Sequence, residues 1–168
     1  MIKLIKYALS TAMLLFSLTA CNDTDCTLKN TVYATFGIYN SKTGLSIKLS
    51  DTLTVTAIGT DSILLNKATG IATIDLPMSY AQTTDTLLFH FNMKNGNATD
   101  TILITHTNEP YFESADCGTA MFHNVNKVEW KKQKTTQIRS MTLDSITITN
   151  KKINYEQTEN FKLYISNH

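Results

Sequence analysis

Glycine is scarce in this chain, with six in 168 residues, and proline occurs twice. There is no Gly-rich turn able to cradle phosphate and no Gly-x-Ser-x-Gly elbow for a serine nucleophile. Lysine and arginine form no stripe, and the formal net charge is +1. The counterion release that drives nucleic-acid affinity therefore has nothing to act through. No His-x-His or His-Glu-x-x-His pattern brings histidines to metal-ligand spacing. Neither a cofactor nor a metal is expected, and the chain is read as non-enzymatic. No linker, repeat or low-complexity tract divides residues 26–168, and no window of 11 or more residues there keeps an apolar helical stripe.

What is present begins with the leader. Lys3 and Lys6 form a positive start, and Tyr7 to Leu18 is an apolar stretch of about a dozen residues, short of the roughly 20 a membrane-spanning helix needs. This pattern fits a signal peptide over residues 1–20. Leu18-Thr19-Ala20-Cys21 resembles the lipobox of bacterial lipoproteins. The resemblance implies that Cys21 is acylated and becomes the mature N-terminus. Acyl chains contribute about 0.8 kcal/mol per buried methylene, enough together for a stable anchor. Losing Lys3 and Lys6 turns the net charge slightly negative, and the acidic Asp23 and Asp25 follow the anchor. Acidic residues at this place resemble the surface-export signals of Bacteroidota lipoproteins. The expected organisation is a signal peptide (1–20), a lipid-anchored tether (21–28) and one β-rich domain (29–168).

With Cys21 committed to lipid, Cys26 and Cys117 remain. An even pair outside the cytoplasm reads as a disulfide. A Cys-x-x-Cys redox motif is absent, and no histidine lies near Cys26 to suggest zinc. Closing a loop of about 90 residues would stabilise the fold by roughly 4 to 5 kcal/mol in the chain-entropy model.

Twenty-seven threonines lean the composition towards strands. Alternation confirms the leaning: Val32, Ala34, Phe36 and Ile38 share one face, as do Leu53, Val55 and Ala57. Further stripes are Ala72, Ile74 and Leu76, then Leu87, Phe89, Phe91 and Met93, the clearest of all. Asn95-Gly96 suits a hairpin leading to Ile102 and Ile104. Ile146 and Ile148, then Phe161, Leu163 and Ile165, supply the last strands. Turns are expected over residues 40–44, 59–61, 66–70 and 150–152. Eight or more short strands imply an all-β fold, an antiparallel β-sandwich of Ig-like or Greek-key type, with a small β-barrel as the alternative.

Few residues invite chemistry. His90 opposes Phe89 and Phe91, His106 is read as ending a strand, His123 follows Phe122 near Cys117, and His168 is terminal; these histidines are expected to be satisfied or solvated. Glu156 and Glu159 are placed in a loop. Lys127 to Lys134, with four lysines around Glu129 and Trp130, reads as a solvated strand or loop. Tyr33, Tyr39, Tyr111, Phe112 and Trp130 are candidates for an exposed aromatic surface that binds a sugar or a protein.

A recurrent pattern remains: Asp51-Thr52-Leu53, Asp61-Ser62-Ile63, Asp85-Thr86-Leu87, Asp100-Thr101-Ile102 and Asp144-Ser145-Ile146. It resembles the acceptor motif of Bacteroidota O-glycosylation, which makes Thr52, Ser62, Thr86, Thr101 and Ser145 candidate sites. The structural reading has Asp closing a turn and the next residues opening a strand.

The lipobox, Cys26, Leu76-Pro77-Met78 leading into Thr86-Leu87-Leu88-Phe89-His90-Phe91, Cys117-Gly118 and the closing Phe161-Lys162-Leu163-Tyr164-Ile165 together resemble an uncharacterised Bacteroidota lipoprotein family carrying a domain of unknown function. The resemblance implies an envelope lipoprotein with a β-rich domain and brings no catalytic residues. The expected function is a binding or structural module at the outer membrane. Its anchor is lipid, its partner an envelope protein complex or a glycan, and nucleic acid is not expected. The other reading is a small glycan- or peptidoglycan-acting hydrolase with carboxylates converging from distant strands.

Overall fold

A computed structural model describes residues 26, 30–60, 62–93, 96–114, 117–132 and 141–167. The leader, Cys21, Asp23, Asp25 and the tether apart from Cys26 lie outside the described residues, as do Asp61, Asn95, Lys134 and His168. The described chain is all-β. Its strands are β1 (Tyr33–Asn40), β2 (Thr52–Ala57), β3 (Ile63–Ala68), β4 (Thr73–Pro77), β5 (Thr84–Met93), β6 (Gly96–Tyr111), β7 (Ala120–Lys132), β8 (Met141–Ile148), β9 (Lys152–Ile153) and β10 (Glu159–Asn167).

They form two sheets, a four-stranded one in the order β4-β1-β10-β8 and a six-stranded one in the order β3-β2-β5-β6-β7-β9. Every pairing is antiparallel except β1 with β10, which run parallel through the middle of the smaller sheet. That pairing departs from the purely antiparallel expectation. Parallel neighbours need a long crossover, and here the crossover is nearly the whole domain.

The inward stripes of the two sheets meet face to face. Phe36 of β1 stacks on its register partner Phe161 at 4.7 Å and meets Phe89 of the other sheet edge-on at 6.2 Å. Ile38, Ile74, Leu76, Leu163 and Ile165 on one side, and Leu53, Val55, Leu87, Phe91 and Ile102 on the other, complete a closed apolar core. Gly37 lies between the inward positions of β1. A Cβ there would meet the Glu159 carboxylate, which accepts a 2.7 Å hydrogen bond from Tyr39 Oη, so a larger residue would have to push that pair aside.

The expected stripes at β1, β2, β4, β5, β8 and β10 are all present, and the β5–β6 hairpin pairs Met93 with Gly96. Three expectations change. Residues 66–68 belong to β3 rather than to a turn, because β2 supplies a pairing partner through Ala68. Glu159 opens β10 instead of lying in a loop. A whole strand, β7, runs where the lysine run was singled out, and residues 127–132 of that run are its mostly exposed end.

Cys26 and Cys117 are joined, with Cα atoms 5.6 Å apart, inside the ordinary range for disulfides. The bond ties the start of the domain to the loop between β6 and β7. Asn30 adds to this tie, its carbonyl accepting a 2.8 Å hydrogen bond from Tyr80 Oη.

Candidate binding site

Polar chemistry collects where β6 and β7 run on past the end of β5. Up to Thr105, β6 lies between β5 and β7; beyond it β7 alone continues alongside. A bulge in the β6–β7 register falls at this point, between Thr105 and His106. Before the bulge the residues of β7 opposite inward β6 positions are Trp130 and Val128. After it they are Val125 and His123. The extra residue shifts the phase of β7 and aims His123 into the interior.

His106 is therefore in mid-strand, not at a strand end, and both it and His123 are buried. Their rings meet edge to face at 4.9 Å. His106 Nε2 lies 3.1 Å from Asp85 Oδ2, and the same oxygen accepts a 3.1 Å hydrogen bond from the Ser79 amide. His123 Nδ1 lies 2.8 Å from Asn108 Oδ1. The Asn108 amide is oriented by its own Nδ2, which donates to the carbonyls of Ser79, Tyr80 and Gln82. Nδ1 of His123 must therefore carry the proton. His106 Nδ1 and His123 Nε2 are buried with no protein partner among the described residues. Neither ring is solvated or fully satisfied as expected. His90 does match that expectation, bridging Thr56 and Thr99 at 3.0 Å each on the outer face of the six-stranded sheet.

Burial first, then the neighbouring His106, lowers the His123 pKa to about 4, while Asp85 pulls weakly the other way. At neutral pH the ring is uncharged.

This polar link joins two depressions. Asp85 lines a cleft of about 390 Å³ between the tip of the β2–β3 hairpin and the Pro77–Ser79 segment. His123 lines a smaller one of about 240 Å³ at the β7–β9 edge, beside Phe122, Glu109, Asn124, Lys152 and Asn154. Next to the smaller cleft three aromatic rings pack together. Tyr111 stacks on Phe122 at 4.6 Å, and Tyr155 meets both edge-on. Phe112, the residue after Tyr111, is 64% exposed. Burial, then the charge of Glu113, pushes the Tyr155 hydroxyl pKa up. Among the described residues no three metal-ligating side chains cluster.

The five expected aromatics are thus split. Tyr111 joins the cluster, with Phe122 and Tyr155 that alternation had not nominated. Tyr33 and Tyr39 lie on β1 of the other sheet, six residues or about 20 Å apart along the strand. Tyr39 is held there by Glu159, whose hydrogen bond first and burial second raise its pKa. Trp130 is 37% exposed on the charged end of β7.

The five Asp-Ser/Thr sites divide as well. Thr52 opens β2, and Ser62 is exposed just before β3, as the turn reading anticipates. Thr86, Thr101 and Ser145 are half-buried inside strands, so the turn reading fails for them. Asp85 is spent on Ser79 and His106, and Asp144 accepts hydrogen bonds from Lys132 and Thr142.

Residues 52–165 match the model of a family of unknown function, DUF6452. The chain belongs to this family. The DUF6452 match runs from β2 almost to the end of β10, so it includes both clefts and the aromatic cluster and leaves out β1 and Cys26. No curated protein and no solved structure matches the chain.

Proposed function

We propose that this DUF6452 protein is a Bacteroidota-type envelope lipoprotein, acylated at Cys21, that binds glycan without transforming it. The Tyr111–Phe122–Tyr155 cluster carries the reading. Aromatic faces pack against the apolar faces of sugar rings, and edge hydroxyls need polar partners nearby. Glu109, Asn124, Lys152 and Asn154 line the adjoining cleft and offer both donors and acceptors. The disulfide connects Cys26, five residues after Cys21, to the loop that follows Tyr111 and Phe112. This places the cluster's loop close in connectivity to the lipid, as suits a module that meets its partner near a membrane. Outer-membrane attachment is part of the same proposal, supported by the leader and by the acidic residues after Cys21. Ser62, exposed next to Asp61 in sequence, is the proposed acceptor if the chain is itself glycosylated.

Two measurements test this. Cells fed an alkyne-tagged fatty acid should label the wild-type protein and not Cys21→Ser; equal behaviour of the two removes the anchor. On an array of bacterial glycans including peptidoglycan fragments, the wild type should bind at least one class. Tyr111→Ala should weaken that binding roughly tenfold, the scale of one lost aromatic contact. Binding to none would sink the glycan reading.

A further inference from the structure

The larger cleft lies away from the aromatic cluster, and its chemistry differs. Ile58, Leu64, Met78 and Leu87 wall it with apolar surface, and Ile58 is 57% exposed. Asp85 is the only charged residue among the described residues that line it. Its Oδ2 is engaged by the Ser79 amide and by His106, whereas Oδ1 has no protein partner among the described residues. The side chain is 13% exposed. Oδ1 is not among the buried unpartnered atoms of the described residues, so it is reachable from the cleft.

We propose that this cleft binds a small organic cation, a primary ammonium on an apolar body, with Asp85 Oδ1 as its counter-ion. The volume of about 390 Å³ falls within the range of small-molecule pockets. The ammonium donates to Oδ1, and the apolar body covers Leu64 and Leu87. Anions are repelled by the same carboxylate. A hard metal ion would need several more oxygen ligands than one carboxylate supplies. The Ser79 amide and His106 fix the Asp85 rotamer before the ligand arrives, which lowers the entropic cost of binding.

The test uses three probes of one shape: n-butylammonium, 1-butanol and butyrate. Each is titrated into full-length wild-type protein while the methyl resonances of Leu64 and Leu87 are followed by NMR. Butylammonium should bind at least about tenfold more tightly than butanol, and butyrate most weakly of all. Asp85→Asn should bring butylammonium to the level of butanol. Leu64→Trp, which fills the cleft and leaves Asp85 in place, should weaken all three probes. Equal binding of the three probes to wild type, or no methyl shift at millimolar probe, overturns the proposal. So does unchanged butylammonium affinity in Leu64→Trp.

Discussion

Two parts of the interior are made of opposite materials. Between the sheets, Phe36, Phe89 and Phe161 meet through ring faces and edges. At the far end of β6 and β7, His106, His123 and the inward Asp85 and Asn108 occupy comparable positions, and two ring nitrogens there lack partners. The first region is what any sandwich needs to stay folded. The second gives up stability that leucines in the same places would supply, and a buried polar group left unpaired costs about 1 to 3 kcal/mol. Such groups lie beside both clefts, whereas the apolar core has none among the described residues.

The contrast can be broken most forcefully from the apolar side. Phe36→Ala removes a ring that touches both sheets, and the cavity should cost about 3 to 5 kcal/mol in urea denaturation. A loss below about 1 kcal/mol would mean that the sheets collapse together and that the two interiors are less different than their chemistry suggests.

On the polar side the lever is acid. His123 has its folded pKa lowered to about 4 from 6.5, so the fold favours the neutral ring. Its contribution is fully present above pH 6.5 and is lost as the pH falls towards 4, by up to about 3 kcal/mol. Stability measured at steps across that window should fall for the wild type and stay flatter for His123→Leu. Matching slopes for the two proteins would show that the ring is not what acid attacks.

The smallest expected effect sharpens the contrast between interior and surface. Lys132 donates to Asp144 at 3.0 Å, both partly exposed. Burial alone would raise the Asp144 pKa, but hydrogen bonds with Ser41, Ser166 and Lys132 outweigh it and hold the carboxyl well below the usual carboxylate range. Because solvent screens this pair, Lys132→Met should cost less than about 1 kcal/mol at neutral pH, and less still in added salt. A larger loss would place the pair among the buried interactions.

Alternation made the apolar half of the molecule legible. Val32 to Ile38, Leu87 to Phe91 and Phe161 to Ile165 keep a period of two because both ends of each stripe face one core. β7 was hidden for a physical reason: the bulge opposite Thr105 and His106 changes its phase midway, so Val128 packs on the core at an even number and Val125 and His123 at odd ones. The same change of phase concealed the histidine pair, whose members are 17 positions apart in the chain and carry no metal-like spacing. Asp85 was visible only as one of five similar Asp-Ser/Thr steps, and its cleft is completed by Gly59, Ser79 and Gln82, which advertise nothing until the β2–β3 hairpin folds beside them. The aromatic cluster was half seen. Tyr111 stood out, while Phe122 reaches it across the β6–β7 pairing and Tyr155 from the turn after β9.

Because β1 and β10 lie side by side, the first strand of the domain has to wait for the last. Until residues 159–167 arrive, β1 has no neighbour on one side and β8 is cut off from its sheet. Contacts that span almost the whole sequence are slow to form, since loop closure comes before any gain. Removing residues 159–167 is therefore not a small trimming: it takes out the strand that joins β1 to β8 and leaves the smaller sheet in two pieces.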